Sequence, residues 1–287
     1  MVSLEKNDKG EEILSLTVGA EWDEKCIKDF LRVRMHISAT LLKKVKYGGV
    51  RIGGKTVTMR ATVSAGSFVE VTLPTEASEG IEPIAGDLSI IYEDEHLLVV
   101  NKQCNMPIHP SRGNHLTTLA NLVMAYMGED FVFRSVNRLD RDTAGLVIIA
   151  KNQYSAGILA EDMKGGRFEK RYTALLSHAP EVLKGVIDAP IERECEGNMK
   201  RCVREDGKRA VTEYEVTDTL PDGRAICKIR LLTGRTHQIR VHMAYVGAPL
   251  FADFLYGERI EGESYSLTAD ELTITHPVSR KRMTFRI

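Results

Sequence analysis

The sequence predicts a mixed α+β protein: a small basic α/β unit, followed by a larger domain built on a largely antiparallel sheet with flanking helices. Three observations predict it. Short segments of alternating apolar and polar residues outnumber helical patterns along most of the 287 residues. The helical patterns that do occur are short and bounded by capping residues and glycines. Charge is also divided into blocks. Residues 25–60 hold ten Lys or Arg against the single acid Asp29, whereas residues 74–96 hold seven acids and no Lys or Arg. A net charge of −1 therefore conceals a basic module next to an acidic stretch, a distribution that suits a nucleic-acid partner.

In the first unit, residues 13–75, positions 13–18 alternate as a strand. Residues 25–34 place Ile27, Phe30, Leu31 and Arg34 at helical spacing. Ser38 can cap a second helix with Leu41, Leu42 and Val45 inward and Lys43, Lys44 and Lys46 outward, ended by Gly48-Gly49. Residues 50–52, which carry Arg51, and 56–58 flank a Gly53-Gly54 turn as a hairpin, and 67–73 form a further strand. Residues 76–87, rich in acids, Pro and Gly, read as a linker.

The second unit, residues 88–287, opens with strands at 90–92 and 97–102 around the turn Glu93-Asp94-Glu95. A helix follows at 117–127 and a strand at 146–150. Asn152 then caps a helix to about Met163, stopped by Gly165-Gly166. Residues 170–176, 210–216 and 225–232 read as strands. Thr236 is expected to cap a last helix carrying Ile239, Met243 and Val246 and ending at Gly247.

Composition excludes several classes. No apolar run approaches the roughly 18 residues of a membrane span, and the polar residues 1–12 do not read as a secretory signal. The five cysteines form no C-x-x-C pair, which suits reduced thiols in a cytoplasmic protein and argues against zinc. The chain is expected to act as a monomer.

Chemistry concentrates in two polar segments set against apolar strands, residues 137–145 and 232–240. Charged groups at the ends of buried strands are held by a rigid scaffold. Asp140, between Arg138 and Arg141, can serve as nucleophile, general base or metal ligand. Metal binding is the weakest of these, because His109, His237 and His242 lack ligand spacing and no D-x-D loop occurs. By itself the string equally describes a solvated salt-bridge loop.

The surrounding motifs decide between these readings. Residues 137–145 (Asn-Arg-Leu-Asp-Arg-Asp-Thr-Ala-Gly) resemble the signature loop H-R-L-D-x-x-T-S-G of the RluA branch of pseudouridine synthases. Residues 92–102 with 107–110 are similar to that family's opening motif, Lys170-Arg171-Tyr172 to its lysine-x-tyrosine strand, and residues 206–212 to its glycine-lysine turn. Residues 233–242 and 247–257 follow in family order, so the resemblance covers residues 88–287. Residues 13–75 resemble the S4 RNA-binding domain.

The resemblance implies a pseudouridine synthase fold and isomerisation of uridine to pseudouridine in structured RNA, without cofactor or metal. It implies Asp140 as the group acting on a flipped nucleotide, Arg138 filling the vacated space, Tyr172 packing on the uracil, and Arg235 pairing with Asp140. Leu139, Leu231 and Leu232 would form a dry wall for the base. Arg141, Lys43, Lys44, Lys46, Arg51, Lys200 and Arg201 would contact RNA. Large-subunit (23S) ribosomal RNA is the first expectation for the substrate and transfer RNA the second. From a different class stands a non-catalytic RNA-binding or ribosome-assembly factor on the same fold. Asn137 and Ala144 depart from the family pattern, as do Gln103 and residues 267–269; none removes a group that the implied mechanism requires.

Overall fold

The computed structural model describes residues 2–77, 80–111, 113, 115–128 and 130–287. Residues 78 and 79 of the expected linker lie outside the described residues. Strands β1 (Ser3–Lys6), β2 (Glu12–Thr17), β3 (Val50–Ile52), β4 (Lys55–Thr56) and β5 (Phe68–Thr72) form an antiparallel sheet in the order β1-β2-β5-β3-β4. Helix α1 (Ile27–Asp29) runs on as a wider π turn, Phe30–Arg34, where Met35 N donates to Phe30 O at 3.1 Å. That turn buries Phe30, Leu31 and Met35 together against the sheet. Helix α2 (Ala39–Val45) is capped by Ser38, whose side chain accepts from Leu41 N.

The remaining strands are β6 (Ile90–Glu93), β7 (Leu97–Lys102), β8 (Ala144–Ala150), β9 (Glu169–Leu176), β10 (Lys184–Asp188), β11 (Ile191–Arg193), β12 (Arg201–Val203), β13 (Val211–Thr219), β14 (Ala225–Leu231), β15 (Leu267–Thr275) and β16 (Arg282–Arg286). Helices α3 (Leu119–Met127), α4 (Gln153–Lys164) and α5 (Gln238–Tyr245) join them. The main sheet runs β10-β13-β14-β9-β15-β8-β7-β6, with β16 beside β15, and β11–β12 is a separate ribbon. All described pairs are antiparallel except β8 with β15. No helix among the described residues is long and apolar enough to cross a membrane.

Strand β8, and β7 as far as Val100, are apolar without interruption because both their faces are covered. Leu98, Val100, Val147 and Ile149 meet α3 and Tyr172 on one side; Leu97, Val99, Leu146 and Ile148 meet α4 and β15 on the other. Asn152 caps α4 by accepting from Ser155 N at 2.8 Å.

The N-terminal unit is docked on this helix. Tyr154 and Ile158 of α4 belong to its core, and Tyr154 Oη donates to Met35 O at 2.8 Å. Arg32 meets Glu161 at 3.2 Å, and Glu76 bridges Lys44 and Arg134 at 2.6 Å each. The segment expected to be a linker is also packed. Ile81 packs on the core of the second unit, and Asn121 of α3 donates to Glu82 O at 2.8 Å and accepts from Ile84 N at 3.1 Å.

One cap differs from expectation. Helix α5 starts after His237, which is left-handed at φ +57, and not after Thr236. The side chain of Gln238 supplies the local bonds instead, its Oε1 accepting from Arg235 N and Thr233 Oγ1 at 2.9 Å each.

Candidate active site

The loop carrying Asp140 is fixed at both ends. Before it, buried Asn137 donates to Leu146 O at 3.0 Å and accepts from Ile148 N at 2.9 Å, tying the loop to β8. An asparagine fills this place because it offers both a donor and an acceptor to the backbone. Beyond Asp140, the Arg141 carbonyl accepts from Lys102 Nζ and Met106 N at 3.0 Å each. Lys102 is 1% exposed, and its ammonium also donates to Gln103 O and Met106 O at 2.8 Å each. Gly145 then passes against β15: a Cβ there would lie 2.4 Å from Ala269 O, and its φ is +115.

Asp140, with 32% of its side chain exposed, faces a cavity of about 270 Å³. Leu139, Lys170, Tyr172, Leu231, Arg235 and His237 share its lining with Arg138. Tyr172 is buried on β9, with Ile229 opposite it on β14. Burial, with the Asp140 carboxylate adding to it, pushes the Tyr172 phenol well above its ordinary value, so it stays protonated. No protein group among the described residues hydrogen-bonds its hydroxyl, which leaves it for a ligand.

His237 Nε2 stands 4.0 Å from Asp140 Oδ2. Its Nδ1 lies 2.7 Å from Tyr256 Oη, which already accepts from Arg201 N at 2.9 Å. The His237–Tyr256 bond orients the imidazole so that Nε2 faces Asp140. Burial lowers His237 below the usual histidine range, and Asp140 partly offsets this. Burial likewise pushes the Tyr256 phenol up to about 12, keeping its proton in place.

Several expected roles are relocated. Arg235 lines the cavity but is exposed; its Nε donates to Arg209 O at 2.9 Å, and no ion pair joins it to Asp140 among the described residues. The turn before α5 sends it there, its own N–H being held by Gln238. Arg141, expected to contact RNA, is bidentate to Asp142 at 2.8 and 3.0 Å. Leu231 reaches the cavity, but Leu232, one residue past the end of β14, is 47% exposed and does not line it. Arg138 is exposed at the mouth.

The cations expected to bind RNA are unequal. Lys43, Lys46 and Arg51 are exposed on the N-terminal unit, whereas Lys44 is spent on Glu76. Lys200 pairs with Glu194 at 3.2 Å. Arg201 is turned inward, 3.9 Å from Glu192, so it is no free surface cation. Sequence reading also missed Arg240. It is buried and bidentate to Asp253 at 2.7 Å for both bonds, with the Tyr265 and Tyr256 rings 4.4 and 4.9 Å away. Its place three residues after His237, on the same helical face, was the available signal.

A mostly antiparallel sheet holding an aspartate beside a half-open, tyrosine-walled cavity with cations at its mouth suits an enzyme that acts on nucleic-acid bases. Residues 96–245 match the model of the RNA pseudouridylate synthase family. The chain is 38% identical over 258 residues to an uncharacterized RNA pseudouridine synthase, YjbO, of Bacillus subtilis, covering 87% of this chain and 90% of that one. It is 36% identical over 236 residues to ribosomal large subunit pseudouridine synthase D of Zymomonas mobilis, covering 76% and 73%. Among solved structures, human RNA pseudouridylate synthase domain containing 1 superposes with a TM-score of 0.60 at 29% identity, covering 72% of this chain and 85% of that one. The chain belongs to the RNA pseudouridylate synthase family, in its RluA branch, and isomerises uridine in RNA to pseudouridine.

Proposed function

We propose that this chain modifies uridines of large-subunit ribosomal RNA, gripping the RNA through an S4-like N-terminal unit and acting on a flipped nucleotide through Asp140. The observation that carries the site is the half-open cavity in which Asp140 faces Tyr172, whose hydroxyl has no protein hydrogen-bond partner among the described residues. The ribosomal substrate is supported by the likeness to ribosomal large subunit pseudouridine synthase D. The grip is supported by the exposed Lys43, Lys46 and Arg51, which would neutralise phosphates without reading sequence.

A uridine in a stack must be extruded, at a cost of about a few kcal/mol, before its base can be handled. Arg138 at the mouth is planar and cationic, and would take the vacated place and hold the backbone. Leu139 and Leu231 shield the base from water, and Tyr172 packs on its face. Asp140 then acts as nucleophile or base at the reacting nucleotide, with His237 Nε2 beside it. The N1–C1′ bond breaks, the uracil turns, and C5 bonds to C1′. The C5 hydrogen leaves as a proton while N1 gains one, so the product is an isomer of the reactant.

The test uses unmodified transcripts of large-subunit ribosomal RNA and of transfer RNA, mapped for pseudouridine after incubation with the wild-type chain and with Asp140→Asn. The expected outcome is product in the ribosomal transcript, none with the variant, and RNA affinity retained. Product from Asp140→Asn would refute the role of Asp140, and product in transfer RNA alone would refute the ribosomal substrate.

A further inference from the structure

We infer that Lys170 holds the carbonyl edge of the uracil inside the cavity and stabilises the negative charge the base carries once its bond to the sugar is broken. The inference rests on the reading of this cavity as the place where the flipped uridine is converted. Lys170 lies two residues before Tyr172 on β9, so both side chains leave the same face of the strand, and both line the cavity with Asp140. Its ammonium lies against the segment that leads into α5, where a Cβ on Gly234 would come 3.1 Å from Nζ.

Lys170, partly buried, differs from the buried cations of this domain, Lys102 and Arg240, in having no partner. Lys102 has three carbonyls and Arg240 has Asp253, whereas no hydrogen bond or ion pair reaches Lys170 among the described residues. Burial alone perturbs it, lowering its affinity for the proton, with no carboxylate near enough to offset this. An ammonium partly withdrawn from water with no partner carries a desolvation cost. A ligand that brings an acceptor to it relieves that cost at the moment of binding.

The cavity thereby has two ends. Lys170 and Tyr172 are same-face neighbours on β9, about 6.6 Å apart, and Lys170 Nζ lies on the Gly234 side of the cavity. A uracil ring placed against Tyr172, with its sugar carbon toward Asp140, points its carbonyls toward Lys170. The exposed Arg138 and Arg235 suit phosphates at the mouth, while Lys170, more enclosed, suits the base.

The chemistry calls for such a group. When N1–C1′ breaks heterolytically, the electron pair leaves with the base, and its charge spreads to O2 and O4. A fixed cation stabilises that charge in the transition state, and a charge-assisted hydrogen bond is stronger than a neutral one. The base must turn before C5 meets C1′, and O2 and O4 flank N3, so one ammonium can follow the edge through the turn. Lys170 keeps its proton throughout, so atoms and electrons balance as in the isomerisation itself.

The test compares Lys170→Met and Lys170→Arg with wild type in the full chain, on whichever unmodified transcript the wild type converts. Single-turnover rate at saturating enzyme, RNA affinity and melting temperature are read together. The expected result for Lys170→Met is a rate at least about 100-fold lower, with affinity within about threefold of wild type and unchanged melting, and partial recovery in Lys170→Arg. An unchanged rate overturns the inference. So does a loss of affinity with the saturating rate intact, which would mark a phosphate contact, or an equal loss in both variants with lowered melting, which would mark a structural role. Failure of the wild type on both transcripts would count against the substrate reading alone; the variants are then compared on total RNA from cells lacking the gene.

Discussion

Lys102 Nζ donates to the carbonyl oxygen of Arg141 at 3.0 Å, so the residue after Asp140 is held by an ammonium buried under the loop. Its three hydrogens meet three carbonyls, those of Gln103, Met106 and Arg141. Lys102→Met leaves those acceptors unpaired in a buried place and is expected to cost about 3 kcal/mol. The melting temperature and the pseudouridine yield fall together; a variant that melts like wild type and keeps full activity would show that the loop needs no such anchor.

The same lysine predicts opposite pH trends for stability and rate. Burial lowers Lys102 from 10.5 to about 8, so between these values the unfolded chain holds a proton that the folded chain has released. Stability from this group therefore rises with pH through that window. The rate goes the other way. A neutral amine has two hydrogens for three carbonyls, so the Arg141 anchor weakens above about pH 8. Single-turnover rates should decline from pH 8 upward while chemical denaturation shows no matching loss of stability, and a rate still flat at about pH 9.5 would sink the argument.

Gly145→Ala is expected to cost about 3 kcal/mol or more. The added Cβ would sit 2.4 Å from Ala269 O at a φ of +115, and the neighbour is backbone in the parallel β8–β15 pair, which cannot yield cheaply. Denaturant titration measures the loss. A small shift would mean that β8 and β15 can separate without harm.

Arg240 and Asp253 are 3% and 0% exposed. Asp253→Ala alone strands a buried guanidinium and is expected to destabilise by about 3–5 kcal/mol. Arg240→Met combined with Asp253→Leu should be less harmful than Asp253→Ala, because no charge is left unpaired. A double mutant as unstable as the single would instead assign the cost to packing around Tyr256 and Tyr265.

What the sequence made legible follows the range of the interactions. Ser38 and Asn152 were readable as caps because a cap is settled within three residues. Thr236 was misread because the cap was overridden by a left-handed His237 and by the Gln238 side chain, which also donates to Val211 O at 3.0 Å from a distant strand. Strands β1, β10, β15 and β16 and the β11–β12 ribbon escaped notice. Edge positions leave β10 with a burial pattern too weak to alternate clearly, while β15 buries five of its nine residues and switches from alternation to a continuous run at Leu272–Ile274. In the site, Asp140 and Tyr172 could be named from motifs. Which arginine meets which carboxylate could not, since Arg141 takes Asp142, Arg240 takes Asp253 and Arg235 takes a carbonyl. Those choices depend on the paths of α5 and the loops around it.

The docking of the N-terminal unit decides how its RNA grip can be tested. Removing residues 1–75 would expose Tyr154 and Ile158 of α4, which complete that unit's core, and would take Arg32 from Glu161 and Lys44 from Glu76. A truncated chain is therefore expected to lose stability as well as affinity. Lys43→Glu with Lys46→Glu is the cleaner change, because both residues are exposed and neither belongs to an ion pair among the described residues. If both lysines touch phosphates of duplex RNA, the double variant binds more weakly, and the slope of log affinity against log salt is smaller by about 1.8. Melting stays at the wild-type value, and the saturating rate is unchanged, since neither lysine lines the cavity of Asp140. An unaltered salt slope would mean that the basic face of the N-terminal unit points away from the RNA, and that the grip belongs to the cations at the cavity mouth.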